Sequence, residues 1–229
     1  MPWVEVTEPW AKPPRWREPA PATTWAGPLE VDRAWAELAG VTVEPGADLE
    51  LSAVTELSIS DSAVAGATLT PTDLGGAGEL ALEIHRSRLD DCDLSGTAIR
   101  SLQSSTLQGC KVIGIDLAGA TVSDVTFERC LFRYANLRMA RLRRVRFDGC
   151  RLDDIDGYRL DAEDVSLPGC ELSGVNLDQL QASRLDLRHA TELGFSTISR
   201  LDGCLMAEHQ LVALAPALAM AAGVDVERG

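Results

Sequence analysis

Eleven apolar residues stand five positions apart without a break: Leu102, Leu107, Val112, Leu117, Val122, Phe127, Phe132, Leu137, Leu142, Phe147 and Leu152. An interval of five fits neither the 3.6-residue turn of a helix nor the two-residue alternation of a simple strand. It is the mark of a repeat, and a repeat constrains the fold more than any composition does. From Cys110 on, a second row lies two residues before the first and is small or apolar throughout, as at Ile115, Ala120, Val125, Ala135, Ala140, Val145 and Ile155. Residues two apart in extended chain point the same way. Each pentapeptide is therefore a short extended side with two inward side chains and three that face out or turn.

A longer interval sits on the same comb. Cys110, Cys130, Cys150 and Cys170 are each 20 residues apart, so the chain returns on itself after four sides. Cys92 precedes Cys110 by 18, and a two-residue deletion between them puts it in the same column. Thr72 and Ser52 are expected to continue the column downward and Ala190 upward. The comb also runs back, in a shifted phase, from Ile99 to Leu49, with Glu79 its single failure. Seven such coils at the interstrand spacing of about 4.8 Å predict a rod about 34 Å long.

Ala135-Asn136-Leu137, Ile115-Asp116-Leu117, Val175-Asn176-Leu177 and Leu185-Asp186-Leu187 fit the pattern A(D/N)LXX. On these stretches and the comb, residues 49 to about 190 resemble the pentapeptide-repeat family. Arg141, Arg146 and Arg151 depart from the pattern at its middle position. The resemblance implies an all-β fold, a right-handed quadrilateral β-helix. It also implies kinship with a branch of acidic rods that occupy the DNA groove of type II topoisomerases and protect them from quinolones or toxins. In such relatives a C-terminal helix often joins two rods end to end.

The ends are different material. Residues 1–48 hold all five tryptophans and eight of the eleven prolines, and read as an arm or cap in extended backbone. Such an arm either covers the rod or docks a partner. Residues 29–39 suggest a short helix. Residues 49–200 are the repeat region, and 201–229 form a helical cap or dimerisation segment. Within 205–222, Leu211, Leu214, Leu218 and Ala222 share one face, while Pro216 predicts a kink or two short helices.

Three clusters suggest chemistry. The cysteines Cys92, Cys110, Cys130, Cys150 and Cys170 form a column of parallel side chains. Such a column cannot converge on a tetrahedral metal, so it reads as interior filler; Cys204 has no assigned role. Eight arginines crowd positions 129–151. One coil on from Arg133, Arg141, Arg143, Arg144 and Arg151 stand Asp153, Asp161, Glu163, Asp164 and Glu171, with Asp124 one coil below Arg144. This predicts a ladder of inter-coil ion pairs. Asp90, Asp91, Asp93, Asp153, Asp154 and Asp156 are the candidate partner-binding acids. Three scattered histidines and a convex rod suggest no active site, and no cofactor or metal is expected.

The net charge of -14 opposes direct binding to nucleic acid or to an anionic membrane, and favours a protein partner with a basic surface. DNA gyrase is the specific candidate through the resemblance. The alternative is a scaffold that docks its partner through the N-terminal arm. A homodimer through the C-terminal helix stays open beside simple capping. The N-terminus lacks a basic segment followed by an apolar core, so the expectation is a cytoplasmic protein with reduced cysteines.

Overall fold

An extended segment must find backbone partners on both sides, and in this chain it finds them one coil away. The computed structural model describes residues 23–25, 35–45, 54–69 and 80–224. Within them the chain winds as a four-sided parallel β-solenoid. On the first side Thr121 faces Arg141, Asp161 and Gln181 in turn. On the second, Thr106, Thr126, Arg146 and Ser166 stack in the same way. The third side carries Lys111–Ile113, Leu131–Arg133, Arg151–Asp153, Glu171–Leu177 and Glu192–Ile198. The fourth is held by single bridges, Asp116 to Asn136 to Asp156 to Asn176.

The comb is the core. Phe132, Leu102, Leu107 and Ile115 are fully buried, and Phe127 stacks on Phe147 at 4.9 Å between ring centres. Phe132 meets both rings edge-on, at 5.2 and 5.8 Å. The all-β expectation and the 20-residue coil both hold. The Cys column is interior: Cys92, Cys110, Cys130, Cys150 and Cys170 are all buried and unpaired as disulfides. Each thiol donates to two backbone carbonyls, as Cys130 does to Leu107 O at 3.3 Å and Glu128 O at 3.5 Å. Neighbouring thiol and burial together push Cys92, Cys130 and Cys170 upward, toward the protonated form that makes those bonds. Ser62, Ser87 and Ser105 do the same work on the second side of the earlier coils, where Ser87 Oγ donates to His85 O at 2.8 Å.

The early coils are irregular in length, and this corrects the column. Thr42 pairs with Ala63, Ala63 with Arg88, and Arg88 with Thr106, returns of 21, 25 and 18 residues. The 18-residue step puts Cys92 in the column as expected. The 25-residue step sets Thr68 beside Asp93, so Ala67, not Thr72, lies beneath Cys92. Thr72 and Ser52 fall outside the described residues.

The solenoid is also longer than the repeat pattern. Thr23–Trp25, Trp35–Ala39 and Val41–Val43 are parallel strands of the same sheet. Strands of the sheet therefore occur before residue 49, and of the helix expected over 29–39 the described part, Trp35–Ala39, is a strand. The local reason is alternation: Ala36 and Leu38 are buried while Glu37 is exposed, a two-residue period. At the other end Cys204–Leu205 pairs with Leu185 and Asp186. Ten strands then stack on one path, which at about 4.8 Å per step makes a rod of roughly 43 Å.

The helix α1, Glu208–Ala221, closes that end. It is one helix, with Pro216 inside it, so of the kink or two short helices expected, the division into two is not seen. The carbonyl that Pro216 leaves free belongs to Val212, which faces solvent and can bond water. Gln210 is the anchor. Its buried amide donates to Leu187 O at 2.8 Å and Ala190 O at 3.1 Å, and its oxygen accepts from Ala207 N at 2.9 Å. The last coil's free carbonyls are thus satisfied from the helix. No helix among the described residues is long and apolar enough to cross a membrane.

The comb fails at Gly157, where a large apolar residue is due. A Cβ there would lie 2.9 Å from Asn176 O and 3.1 Å from Leu177 Cδ2. Leu177 leans into the space, beside an apolar cavity of about 70 Å³. Gly157→Ala, although it restores an apolar side chain, is expected to lower stability by about 1–3 kcal/mol through overpacking against backbone. Thermal unfolding monitored by circular dichroism checks this, and an unchanged or raised midpoint contradicts it.

Candidate docking surface

Every outward side chain stands directly above another, one coil away, so the surface is organised in columns. The (D/N) position of the motif forms one of them on the fourth side. Asp116 Oδ1 accepts from Ala118 N at 3.0 Å, Asn136 Oδ1 from Arg138 N at 3.2 Å, and Asp156 Oδ1 from Tyr158 N at 3.1 Å. Each carboxylate or amide thereby closes the turn two residues on. Along the column Asn136 Nδ2 donates to Asp116 Oδ1 at 2.8 Å, and Asn176 Nδ2 to Asp156 Oδ1 at 3.0 Å.

A second column runs along the corner that ends the first side: Asp61, Arg86, Ser104, Asp124, Arg144, Asp164 and Arg184. All hold left-handed backbone, with φ between 45° and 62°. Each arginine forks onto the aspartate one coil below. Arg144 does so at 2.6 and 2.7 Å to Asp124, Arg86 at 2.6 Å to Asp61, and Arg184 to Asp164.

The predicted ion-pair ladder is therefore real but partly re-partnered. Arg133 reaches Asp153 at 3.9 Å and Arg143 reaches Glu163 at 3.0 Å, as expected, and Arg144 takes Asp124. Arg141, Arg144 and Arg151 do not bond their acids one coil on. Asp161 is held by Arg143 at 2.5 Å, Asp164 by Arg184, and Arg151 turns along its own side to Asp153 at 2.8 Å.

The candidate acids divide in two. Asp90 is held by Arg88 at 2.7 Å, Asp93 by Lys111 at 2.9 Å, and Asp156 by Arg138 at 2.8 Å. Asp153 is buried between Arg133 and Arg151. These four build the rod. Asp91 and Asp154 are exposed corner residues and make no ion pair among the described residues. They belong to different sides, so the six do not form one cluster. Of the helix residues, Leu214 is buried on the rod, Leu218 is half-buried and Leu211 is exposed. Leu214 therefore caps its own coil. Cys204 sits in the last ladder, and burial, aided by Asp202, pushes its thiol up to about 12.

Of the corner columns, the sequence shows in advance only the stretch Asp124, Arg144 and Asp164. Their signal is the residue two after each comb position, where glycine or a polar residue recurs.

Several carboxyls are held below the ordinary value of 3.8. For Asp61 the cause is the Arg86 hydrogen bond. For Asp156 and Asp186 burial pushes upward, but hydrogen bonds from Arg138 and from Arg188 outweigh it. A depressed folded value adds stability that is present above the unfolded value and is lost as pH falls through the folded one. The thermal midpoint is expected to stay level down to about pH 5 and to fall below about pH 4. Asp186→Asn should flatten that acid limb. Calorimetry across pH 2–7 checks it, and a midpoint that rises on acidification contradicts it.

Residues 82–156 match the family model for the pentapeptide repeat region. No curated protein sequence matches the chain. Among solved structures, full-length QnrB1, a plasmid-mediated fluoroquinolone resistance protein, is similar at 13% identity and a TM-score of 0.34, over 84% of this chain and 99% of that one. HetL, a pentapeptide repeat protein involved in heterocyst differentiation regulation from the cyanobacterium Nostoc sp. strain PCC 7120, is similar at 17% identity and a TM-score of 0.31. That match covers 75% of this chain and 87% of HetL. With the A(D/N)L turns, the four-sided coil and the family match in agreement, residues 82–156 are a pentapeptide repeat region.

Proposed function

We propose that this chain is a non-catalytic, protein-binding rod, and that its partner presents a basic surface such as the DNA-binding surface of a type II topoisomerase. The observation that carries the reading is a rigid rod of stacked coils in a chain whose net charge is -14. Its outward side chains are committed to turns and ion pairs, which makes a stiff charged surface rather than a reactive cleft. Stiffness favours binding, because little conformational entropy is lost when a preformed surface docks. The resemblance to acidic rods that occupy a topoisomerase's DNA groove supports this partner class.

The charge is unevenly placed. Residues 129–159 hold nine arginines and four aspartates, so the remaining chain carries 12 bases against 31 acids. Duplex DNA carries one charge per about 1.7 Å, far denser than this. The acid-rich coils on either side of the arginine girdle, with Asp91 an exposed carboxylate that makes no ion pair among the described residues, are the part that would stand in for phosphate.

A gyrase supercoiling assay with the full chain tests the reading. The expected result is inhibition, or protection from a quinolone, that weakens as salt rises. The variant Asp91→Asn, which keeps a residue suited to the left-handed corner, should raise the half-effective concentration about twofold or more with no loss of thermal stability. No effect on gyrase at any concentration overturns the topoisomerase reading.

A further inference from the structure

The corner positions of this rod obey a rule with two exceptions. A corner residue sits in left-handed backbone, which costs a side chain with a Cβ about 1–2 kcal/mol and which glycine, aspartate and asparagine enter most cheaply. The corners are accordingly glycines, as at Gly109, Gly114, Gly119 and Gly149, or polar residues, as at Asp91, Ser104, Asp154, Arg159 and Gln179. Among the described left-handed residues only Tyr134 and Met139 are apolar, with φ of 55° and 56°. They are consecutive corners of one coil and flank its fourth side. Tyr134 is 60% exposed and Met139 53%. Bulky side chains have been set where they are strained, solvated and displayed, and strain of that kind points to function.

What surrounds them is equally specific. Leu131, also exposed, precedes Tyr134 on the third side. The Arg133 guanidinium lies 5.5 Å from the Tyr134 ring. Between the corners Arg138 lies over the Tyr158 ring at 4.5 Å, and Arg159 lies over it at 5.4 Å. Arg138 shares its charge with Asp156, whereas the hydrogen bond of Arg159 goes to a neutral group, Gln179 Oε1 at 3.0 Å. Tyr, Met and Arg are the residues enriched where proteins meet, and here the arginines are ordered against the tyrosine rings.

We propose that the Leu131/Tyr134/Met139 surface is a docking site for an acidic segment of a partner protein, with carboxylates on Arg133, Arg138 and Arg159 and apolar side chains against Tyr134 and Met139. Charge decides the occupant. The patch lies in the arginine girdle, which carries an excess of five positive charges in a chain of net -14. A second copy docked face to face would set arginines against arginines. A long polyanion lying along the rod would leave the girdle after two coils and meet the acid-rich flanks. A short acidic segment crossing the rod meets neither obstacle. This site is distinct from the acidic surface proposed above and of opposite sign, so each stands or falls without the other.

Fluorescence anisotropy with the full chain tests it. The probe is a labelled peptide of about twelve residues alternating glutamate with leucine and phenylalanine; controls are its glutamate-to-lysine counterpart and a labelled duplex of about twelve base pairs. The expected result is saturable binding of the acidic peptide alone. Tyr134→Glu and Met139→Glu should each weaken it at least about tenfold, while Asp202→Ala, at the far end, leaves it unchanged. Both corner variants should keep the wild-type thermal midpoint, since the side chains they replace are exposed. Absence of peptide binding, binding that survives both corner variants, or duplex binding as tight as the peptide's overturns the proposal.

Discussion

The backbone hydrogen bond from one coil to the next is the constraint on which everything else rests. Arg141 N donates to Ala120 O at 2.8 Å, Asp161 N to Ala140 O at 3.0 Å, and Gln181 N to Leu160 O at 2.9 Å. Because the ladder is parallel and in register, it places residue i beneath residue i+20 for the whole regular stretch. Every column then becomes a stack of side chains about 4.8 Å apart. Stacking at that distance is favourable for apolar groups and for amides and is costly for like charges. The columns show how the sequence meets this. The corner of the first side alternates Asp124, Arg144, Asp164 and Arg184, and the fourth side alternates Asp116, Asn136, Asp156 and Asn176. The ladder thus explains why so many arginines and aspartates coexist in one short stretch.

The same register governs the interior. Two inward residues per side must fill a square cross-section of fixed size, so a change in one coil is felt in its neighbours. At Gly157 the missing side chain is answered by Leu177 from the next coil, which closes most of the gap and leaves a small apolar cavity. At the cysteine column the constraint is polar as well as steric. The bend leaves two carbonyls facing inward, and only a small side chain with a donor meets both. A thiol serves in Cys110 through Cys170, and a hydroxyl serves in Ser62, Ser87 and Ser105. Cysteine and serine are here interchangeable answers to one geometric question, which is why neither needs a redox or metal role.

The regular coils were legible because their period is strict: the comb from Leu102 to Leu152 and the 20-residue cysteine interval give the sides, the inward faces and the return. What was not legible lies where register is set by tertiary pairing instead of periodicity. The 25-residue step between Ala63 and Arg88 moves Ala67 under Cys92, and no local signal reports the length of a coil that contains an insertion. Trp35–Ala39 reads as part of a short helix until Glu56–Ser60 is found beside it. The ion pairs were half legible for a related reason. Register names the neighbour one coil on, but a long arginine also reaches the residue below it or two along its own side, and Arg144 and Arg151 do. The acids proposed from sequence suffered in the same way: Asp93 and Asp156 were chosen for density, yet density in this fold is what turns and ladders require.

Because each coil touches only its neighbours, an outward residue can change without disturbing coils further away. A solenoid can therefore carry separate surfaces at separate heights, and their separation is fixed by the ladder rather than by a linker. In this chain the arginine girdle stands between acid-rich coils, and the two apolar corners fall within the girdle. A uniform acidic rod would need neither arginines in its middle nor tyrosine and methionine in strained backbone. Stability does not account for them either, since glycine or aspartate would hold the same corners at lower cost. What the two residues gain by standing there is exposure, and exposure is useful only against something that binds.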